Sequence, residues 1–235
     1  MIQRIDECRL VLQAENVHLG TGPLDGGAMT TVNFHLCGGE LALVYMEHPE
    51  QGTALADVFS GLIRPEAGTV LFLGRDWSRL PPDNANALRG KIGRVFSKGA
   101  WLNHLSMWEN LLLPQRHHTR RSDAELHDEA MALADRFGLP GLPSGRPVQC
   151  LPADLQRGAC IRAFLGRPVL ILLEDPTAGG ETGLMAGLIN TIRNARDYGA
   201  AVVWMTSEES IWRDMTFPAS FRYRFVGRQL MEVPR

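Results

Sequence analysis

The sequence predicts an α/β fold built on a largely parallel sheet. Three short apolar runs, Leu41 to Tyr45, Val169 to Leu173 and Ala201 to Met205, have the length and composition of strands buried on both faces. Segments of helical period, Thr53 to Leu62 and Leu184 to Asp197, alternate with them. A more helical middle reads as a lobe inserted between two strands of that sheet.

Each element has its own warrant. Cys8 to Val17 and Thr30 to Leu36 alternate apolar and polar residues as strands do, and the glycine-rich Gly20 to Gly27 separates them. Cys37-Gly38-Gly39-Glu40 is a turn into the Leu41 run, and Met46 to Gln51 is a loop out of it. In the helix that follows, Leu55, Val58, Phe59 and Leu62 share one face, and Arg64 to Gly68 ends it. Thr69 to Leu73 is a strand closed by Gly74-Arg75-Asp76. Ser122-Asp123-Ala124-Glu125 is a capping box. Its helix turns Leu126, Ala130, Leu133 and Phe137 inward and stops at Gly138-Leu139-Pro140. A second helix spans Ala153 to Leu165, and Glu174-Asp175-Pro176 follows the Val169 strand. Phe221 to Val233 has a hairpin pattern.

Bulk composition narrows the class. The chain has 235 residues, 45% of them hydrophobic, enough for one sizeable core. Charged residues make up 21% and the net charge is −2, so no basic excess points to nucleic acid. Cys8, Cys37, Cys150 and Cys160 form no Cys-x-x-Cys pair, so reduced thiols in a cytosolic protein are expected rather than a zinc site or a disulfide framework. Met1 to Glu7 carries no apolar stretch like a signal peptide, and no run approaches the ~20 residues of a membrane span. Any membrane role is then peripheral, through a partner.

In such a layout a nucleotide belongs where the Leu41 strand leads by a loop into a helix. The usual chemistry is Gly-x-x-Gly-x-Gly-Lys-Ser/Thr: glycines let N–H groups wrap the phosphates, lysine neutralises charge and the hydroxyl meets magnesium. The residues here are Met46-Glu47-His48-Pro49-Glu50-Gln51-Gly52-Thr53.

By order and spacing the whole chain resembles the ATP-binding subunits of ABC transporters. Gly38-Gly39-Glu40 stands before the phosphate-loop strand, and Ser60 to Val70 resembles the segment after the phosphate-loop helix. Ile92 to Phe96 with Leu105 to Asn110 resembles the glutamine-loop region. Leu151-Pro152-Ala153-Asp154-Leu155 lies at the signature Leu-Ser-Gly-Gly-Gln, Val169 to Thr177 at the Walker B strand, and Val203 to Ser207 at the histidine loop. Locally, Lys98 to Asn110 and Pro114 are similar to the ATPases of Mla-type, MCE-associated phospholipid transporters. The resemblance implies a P-loop NTPase (RecA-like) fold with an N-terminal antiparallel β subdomain. It implies a core of residues 1–96 and 166–235, with a helical subdomain over about 97–165.

The departures fall on the residues that handle ATP. The phosphate-loop equivalents are Pro49, Gln51, Gly52, Thr53 and Ala54; Gly52 stands in place of lysine, and Pro49 has no N–H to offer. Glu47 and Glu50 add negative charge beside a triphosphate. Ser97 replaces the coupling glutamine, Glu174 the metal-associated aspartate, Asp175 the catalytic glutamate and Ser207 the switch histidine. Gly180-Glu181 replaces leucine-aspartate, and no aromatic residue stands near Thr21 to stack on adenine.

The expectation is therefore a degenerate subunit with no catalytic residue assigned. Mg-ATP would bind only through residual contacts at Thr53 and Glu174. Expected partners are a transmembrane permease or an intact paralogue, with a homodimer as a further arrangement and no nucleic acid. The expected place is cytoplasmic, at the face of a membrane. Two rivals stand beside it: a working ABC ATPase, and a stand-alone module whose Glu47, Glu50, Glu174 and Asp175 face a cation. His117-His118 and Arg116, Arg120 and Arg121 read as solvated surface, and Trp101 and Trp108 as lobe packing or partner contact.

Overall fold

The computed structural model describes residues 8–20, 29–178, 182–226 and 228–234. The strands are β1 (Leu10–Gly20), β2 (Met29–Cys37), β3 (Leu41–Tyr45), β4 (Ala67–Phe72), β5 (Arg75–Asp76), β6 (Ile92–Val95), β7 (Leu170–Glu174), β8 (Ala201–Thr206), β9 (Phe221–Val226) and β10 (Gln229–Glu232). They join one sheet in the order β5-β4-β1-β2-β10-β9-β3-β8-β7-β6. Neighbours from β9 through β3, β8 and β7 to β6 run parallel, while β1, β2, β4 and β5 pair antiparallel. The three apolar runs of the sequence are thus adjacent central strands.

Their continuous hydrophobicity has a direct cause, because both faces are covered. Leu41, Leu43, Ile171, Leu173, Val202 and Trp204 enter one core cluster, and Ala42, Val44, Leu170, Leu172, Val203 and Met205 enter the other. The second core lies against α1 (Pro49–Phe59) and the antiparallel strands; the first lies against α3 (Met107–His118), α4 (Asp123–Arg136), α5 (Pro152–Phe164) and α6 (Thr182–Asp197). In sequence α3, α4 and α5 fall between β6 and β7, where the inserted lobe is expected. Gly93 fixes the lobe on the edge strand: a Cβ there would strike the Ala163 carbonyl, so only glycine allows α5 to sit this close to β6.

The capping box at Ser122 and Glu125 opens α4 as expected, and Leu126, Ala130, Leu133 and Phe137 are buried. A second box, Ser106 with Glu109, opens α3. Two short helices, α2 (Pro82–Arg89) and α7 (Glu209–Arg213), complete the described α-helices, and 3-10 turns span Trp77–Arg79 and Pro147–Gln149.

Two expectations need correction. Cys8 and Cys37 are joined in a disulfide, with Cα atoms 6.0 Å apart. The β1–β2 register sets Leu10 opposite Cys37, which brings together cysteines that linear spacing leaves unrelated. The helix expected from Thr53 begins at Pro49 instead. Proline suits a first helical position, so the expected loop contributes a helical turn. The readings made for Met1 to Glu7, Thr21, most of the glycine-rich segment and Gly180-Glu181 lie outside the described residues.

Candidate functional site

Only Met46, Glu47 and His48 connect β3 to α1. Two of the three N–H groups of this connection are bonded within the chain. Met46 N–H donates to the Thr206 carbonyl (2.9 Å), Gln51 N–H to the His48 carbonyl (3.0 Å), and His48 N–H to Gln51 Oε1 (3.3 Å). Pro49 supplies no donor. Met46 itself is 1% exposed and packs over Gly52. A Cβ on residue 52 would run into Met46 Sδ and lie 2.9 Å from its Cε. Met46 thus fills the space above Gly52, the residue expected from the sequence to stand in place of the lysine. Glu47, His48, Pro49 and Glu50 are exposed, while Thr53 and Ala54 are half-buried on the next turn of α1.

One turn on, Thr53 joins a charged cluster at the ends of β6 and β7. Its hydroxyl donates to Glu174 Oε2 (2.7 Å) and lies 3.2 Å from Ser97 Oγ. Ser97 N–H reaches the same carboxylate oxygen at 3.4 Å. Arg94 completes the group: its Nε donates to Glu174 Oε1 and its Nη1 to Asp57 Oδ1, both at 2.6 Å. The side chains of Arg94 and Glu174 are 5% and 2% exposed. Neither charge is tolerable alone at that depth, and each is present because the other is. The Arg94 guanidinium also stacks on Phe96, 4.4 Å from the ring centre.

Asp175, the next residue along, belongs to a separate pair. Ser207 N–H donates to its Oδ1 (2.7 Å) and Ser207 Oγ to its Oδ2 (3.0 Å). The backbone of Asp175 lies in the left-handed region (φ 40°), which aspartate tolerates better than most residues. The fold therefore unites Thr53, Ser97 and Glu174, and holds Asp175 with Ser207 beside them.

The signature-position residues open α5 on another part of the chain. Leu151 is exposed, Pro152 is the first helical residue, Ala153 and Leu155 are half-buried, and Asp154 meets Arg157 at 3.5 Å. Pro152 withdraws one N–H from that helix end and Asp154 adds a negative charge. Farther along α5, Arg162 donates to the carbonyls of Ala100 (3.0 Å) and Gly99 (2.5 Å) and stacks on Trp101. Burial lowers the pKa of this guanidinium to about 10.

The remaining candidates resolve into packing. Trp101 and Trp108 are half-buried against the first core. Arg116 pairs with Asp123 (2.6 Å) and Arg121 with Glu129 (2.5 Å), so that part of the basic run is bridged rather than merely solvated. His117 and His118 are exposed with rings 4.6 Å apart. Among the described residues no group of three or more His, Cys, Asp or Glu side chains is placed to hold a metal.

Sequence reasoning placed Met46 in the phosphate loop but missed its packing over Gly52, and it missed Arg94. Arg94 carried a legible signal, since a charged residue in the otherwise apolar Ile92-Gly93-Arg94-Val95 strand must find a buried partner. Met46 carried none, because a methionine beside an apolar strand is ordinary.

Residues 52–178 match the ABC transporter family. The chain is 25% identical over 181 residues to the cell division ATP-binding protein FtsE of Escherichia coli K12, covering 77% of this chain and 81% of that one. It is 28% identical over 160 residues to the intermembrane phospholipid transport system ATP-binding protein MlaF of Haemophilus influenzae, covering 67% and 61%. Its fold superposes on the bacterial ABC transporter cassette MJ0796, solved as a dimer, with a TM-score of 0.81 at 20% identity over 94% of this chain and 97% of that chain. With a family match across more than half its length and the ABC ATPase fold throughout, the chain belongs to the ABC transporter family.

Proposed function

We propose that this chain is a degenerate ABC ATP-binding subunit that does not turn over ATP and serves as a structural or regulatory partner of a membrane transport system. The observation that carries the reading is Met46 packed on Gly52, where lysine would neutralise phosphate. A magnesium-nucleotide fits this cleft poorly. Met46 and His48 N–H are bonded within the chain, Pro49 offers none, and exposed Glu47 and Glu50 add negative charge beside an incoming phosphate. Charge-assisted hydrogen bonds are worth roughly 1.5–3 kcal/mol each. Losing the lysine and one or two N–H donors then costs about 4 kcal/mol, close to three decades of affinity.

Pairing with an intact subunit does not repair the loss. In this family each nucleotide is clamped between one subunit's phosphate loop and the other's signature. Gly52 weakens one composite site, and Pro152, Ala153 and Asp154 weaken the other. Partnership rather than turnover accounts for a preserved fold. MlaF is named for an intermembrane phospholipid transport system, and the macrolide export ATP-binding/permease protein MacB of Burkholderia pseudomallei, 26% identical over 191 residues that cover 81% of this chain and 29% of that one, for export with a permease. The proposed partner is accordingly a transmembrane permease or an intact paralogue, with lipid transport as the proposed process and homodimer formation as in the MJ0796 cassette. Among the described residues no helix is long and apolar enough to cross a membrane. The proposed place is the cytoplasmic face of a membrane, reached through the partner.

A working ATPase is the second reading. What favours it is that Thr53 and Glu174, the metal-side pair, remain 2.7 Å apart. Calorimetric titration with millimolar Mg-ATP beside a phosphate-release assay decides between them. Neither binding nor release is expected. Release abolished in Asp175→Asn would overturn the proposal and restore Thr53, Glu174 and Asp175 to a mechanism.

A further inference from the structure

We infer that Arg94 is the resident cation of the Thr53–Ser97–Glu174 cluster: its guanidinium, not a divalent metal ion, balances Glu174, and removing it uncovers a metal site. The inference deepens the proposed function by naming what stands in for the metal, and it rests on a different group of residues from the Met46 contact.

The geometry is that of an occupied cation site. Glu174 and Asp57 each give one oxygen to Arg94 at 2.6 Å. The other Glu174 oxygen receives the Thr53 hydroxyl at 2.7 Å and the Ser97 N–H at 3.4 Å. A carboxylate this buried needs a positive charge against it, and Arg94 supplies one by covalent attachment to the sheet. A divalent ion approaching Glu174 would meet that guanidinium, which is held by two carboxylates and by the face of Phe96. Arg94 Nη2 is also buried without a hydrogen-bond partner. The site therefore accepts an imperfectly satisfied arginine.

With Arg94 gone, Glu174, Asp57 and the Thr53 and Ser97 hydroxyls form an oxygen-rich set suited to a hard cation. Few protein charges and no phosphate make this a weak site, with a dissociation constant on the order of 10⁻⁴–10⁻³ M.

The test is Mn²⁺ binding in the absence of nucleotide, read by electron paramagnetic resonance on the full chain, in the wild type, Arg94→Met, Arg94→Met/Glu174→Gln and Glu174→Gln. Expected results are no Glu174-dependent ion in the wild type, one ion bound at least tenfold tighter by Arg94→Met, and loss of that ion in the double variant. A wild-type Mn²⁺ site that Glu174→Gln abolishes would overturn the inference, as would a folded Arg94→Met that binds no better than wild type. Should Arg94→Met not fold in metal-free buffer, Mn²⁺ must rescue its folding in a dose-dependent way, and no rescue equally overturns the inference. Because ATP is absent, the result is independent of the turnover assay: phosphate release would refute the proposed function, whereas Mn²⁺ binding judges Arg94.

Discussion

If Met46 occupies the space above Gly52, the two positions must be coupled in stability. Gly52→Ala places a methyl group against Met46 Sδ and 2.9 Å from Cε, with Met205 Cβ 3.6 Å away on the other side. Overpacking of this kind costs roughly 1–3 kcal/mol. Because Gly52 is helical, alanine returns about 0.8–1.0 kcal/mol of helix propensity, leaving a net cost of about 0–2 kcal/mol. Met46→Ala empties a fully buried site and costs roughly 2–5 kcal/mol. In the double variant the new methyl group falls into the void left by Met46, so both penalties shrink. The expected coupling energy is about 1–3 kcal/mol, with the double variant more stable than the sum of the single changes predicts. Urea unfolding of the four proteins at one temperature measures it, provided the m-values agree. Additivity within about 0.5 kcal/mol would refute the placement of Met46 over Gly52. The same contact governs any attempt to restore the lysine: Gly52→Lys alone must evict Met46, and only a background of Met46→Gly leaves room for it.

Three further outcomes follow from the structure. Reduction of the Cys8–Cys37 disulfide releases a constraint across 29 residues of chain, and a Cys8→Ser/Cys37→Ser variant should lose about 3–4 kcal/mol of unfolding free energy by the loop-entropy relation; an unchanged urea midpoint counts against the bridge. Burial raises the Cys160 thiol to about 12, so iodoacetamide should label the half-buried Cys150 but leave Cys160 untouched until the chain unfolds, as peptide mass spectrometry would show. Desolvation lowers the pKa of His118, whose ring lies over Gly90, so its neutral form contributes stability above the unfolded value near 6.5 that is lost as pH falls through the folded value. Urea midpoints of His118→Gln should fall less steeply than wild type between pH 7 and pH 5, and parallel curves would remove His118 from the acid limb.

The central sheet was legible because its strands obey one physical rule. Leu41 to Tyr45 and Ala201 to Met205 are apolar without interruption, and only strands covered on both faces can be so. The Ser122–Glu125 box was equally plain, since both side chains satisfy helix-end N–H groups by local bonds. Boundaries failed where proline and short-range side-chain bonds reshaped the local pattern. The start of α1 moved to Pro49 because Gln51 and His48 close a turn on each other, and α3 was obscured by Pro114 within it although Ser106 and Glu109 marked its start. The cluster at Glu174 was half-legible: the expectation that Thr53, Ser97 and Glu174 belong to one site came from the family resemblance. The partnership with Arg94 joins residues 80 apart in the chain, so only the β6–β7 pairing reveals it.

The substitutions around the cleft share a physical direction. Under the proposed function, each supplies from the chain itself an interaction that a ligand would otherwise supply. Glu174 takes its positive charge from Arg94, Asp175 takes two hydrogen bonds from Ser207, His48 N–H is met by Gln51, and the hollow beside Gly52 is filled by Met46. A cleft made to receive nucleotide must leave donors and charges unsatisfied until the ligand arrives, and part of the binding energy repays that deficit. Random loss of function would remove ligand contacts without supplying replacements, leaving buried groups such as Glu174 at a cost of several kcal/mol. Under the proposed function, the compensation at several positions stabilises the cleft without nucleotide. The proposed partner role, holding shape at a transport complex without nucleotide turnover, accounts for this arrangement.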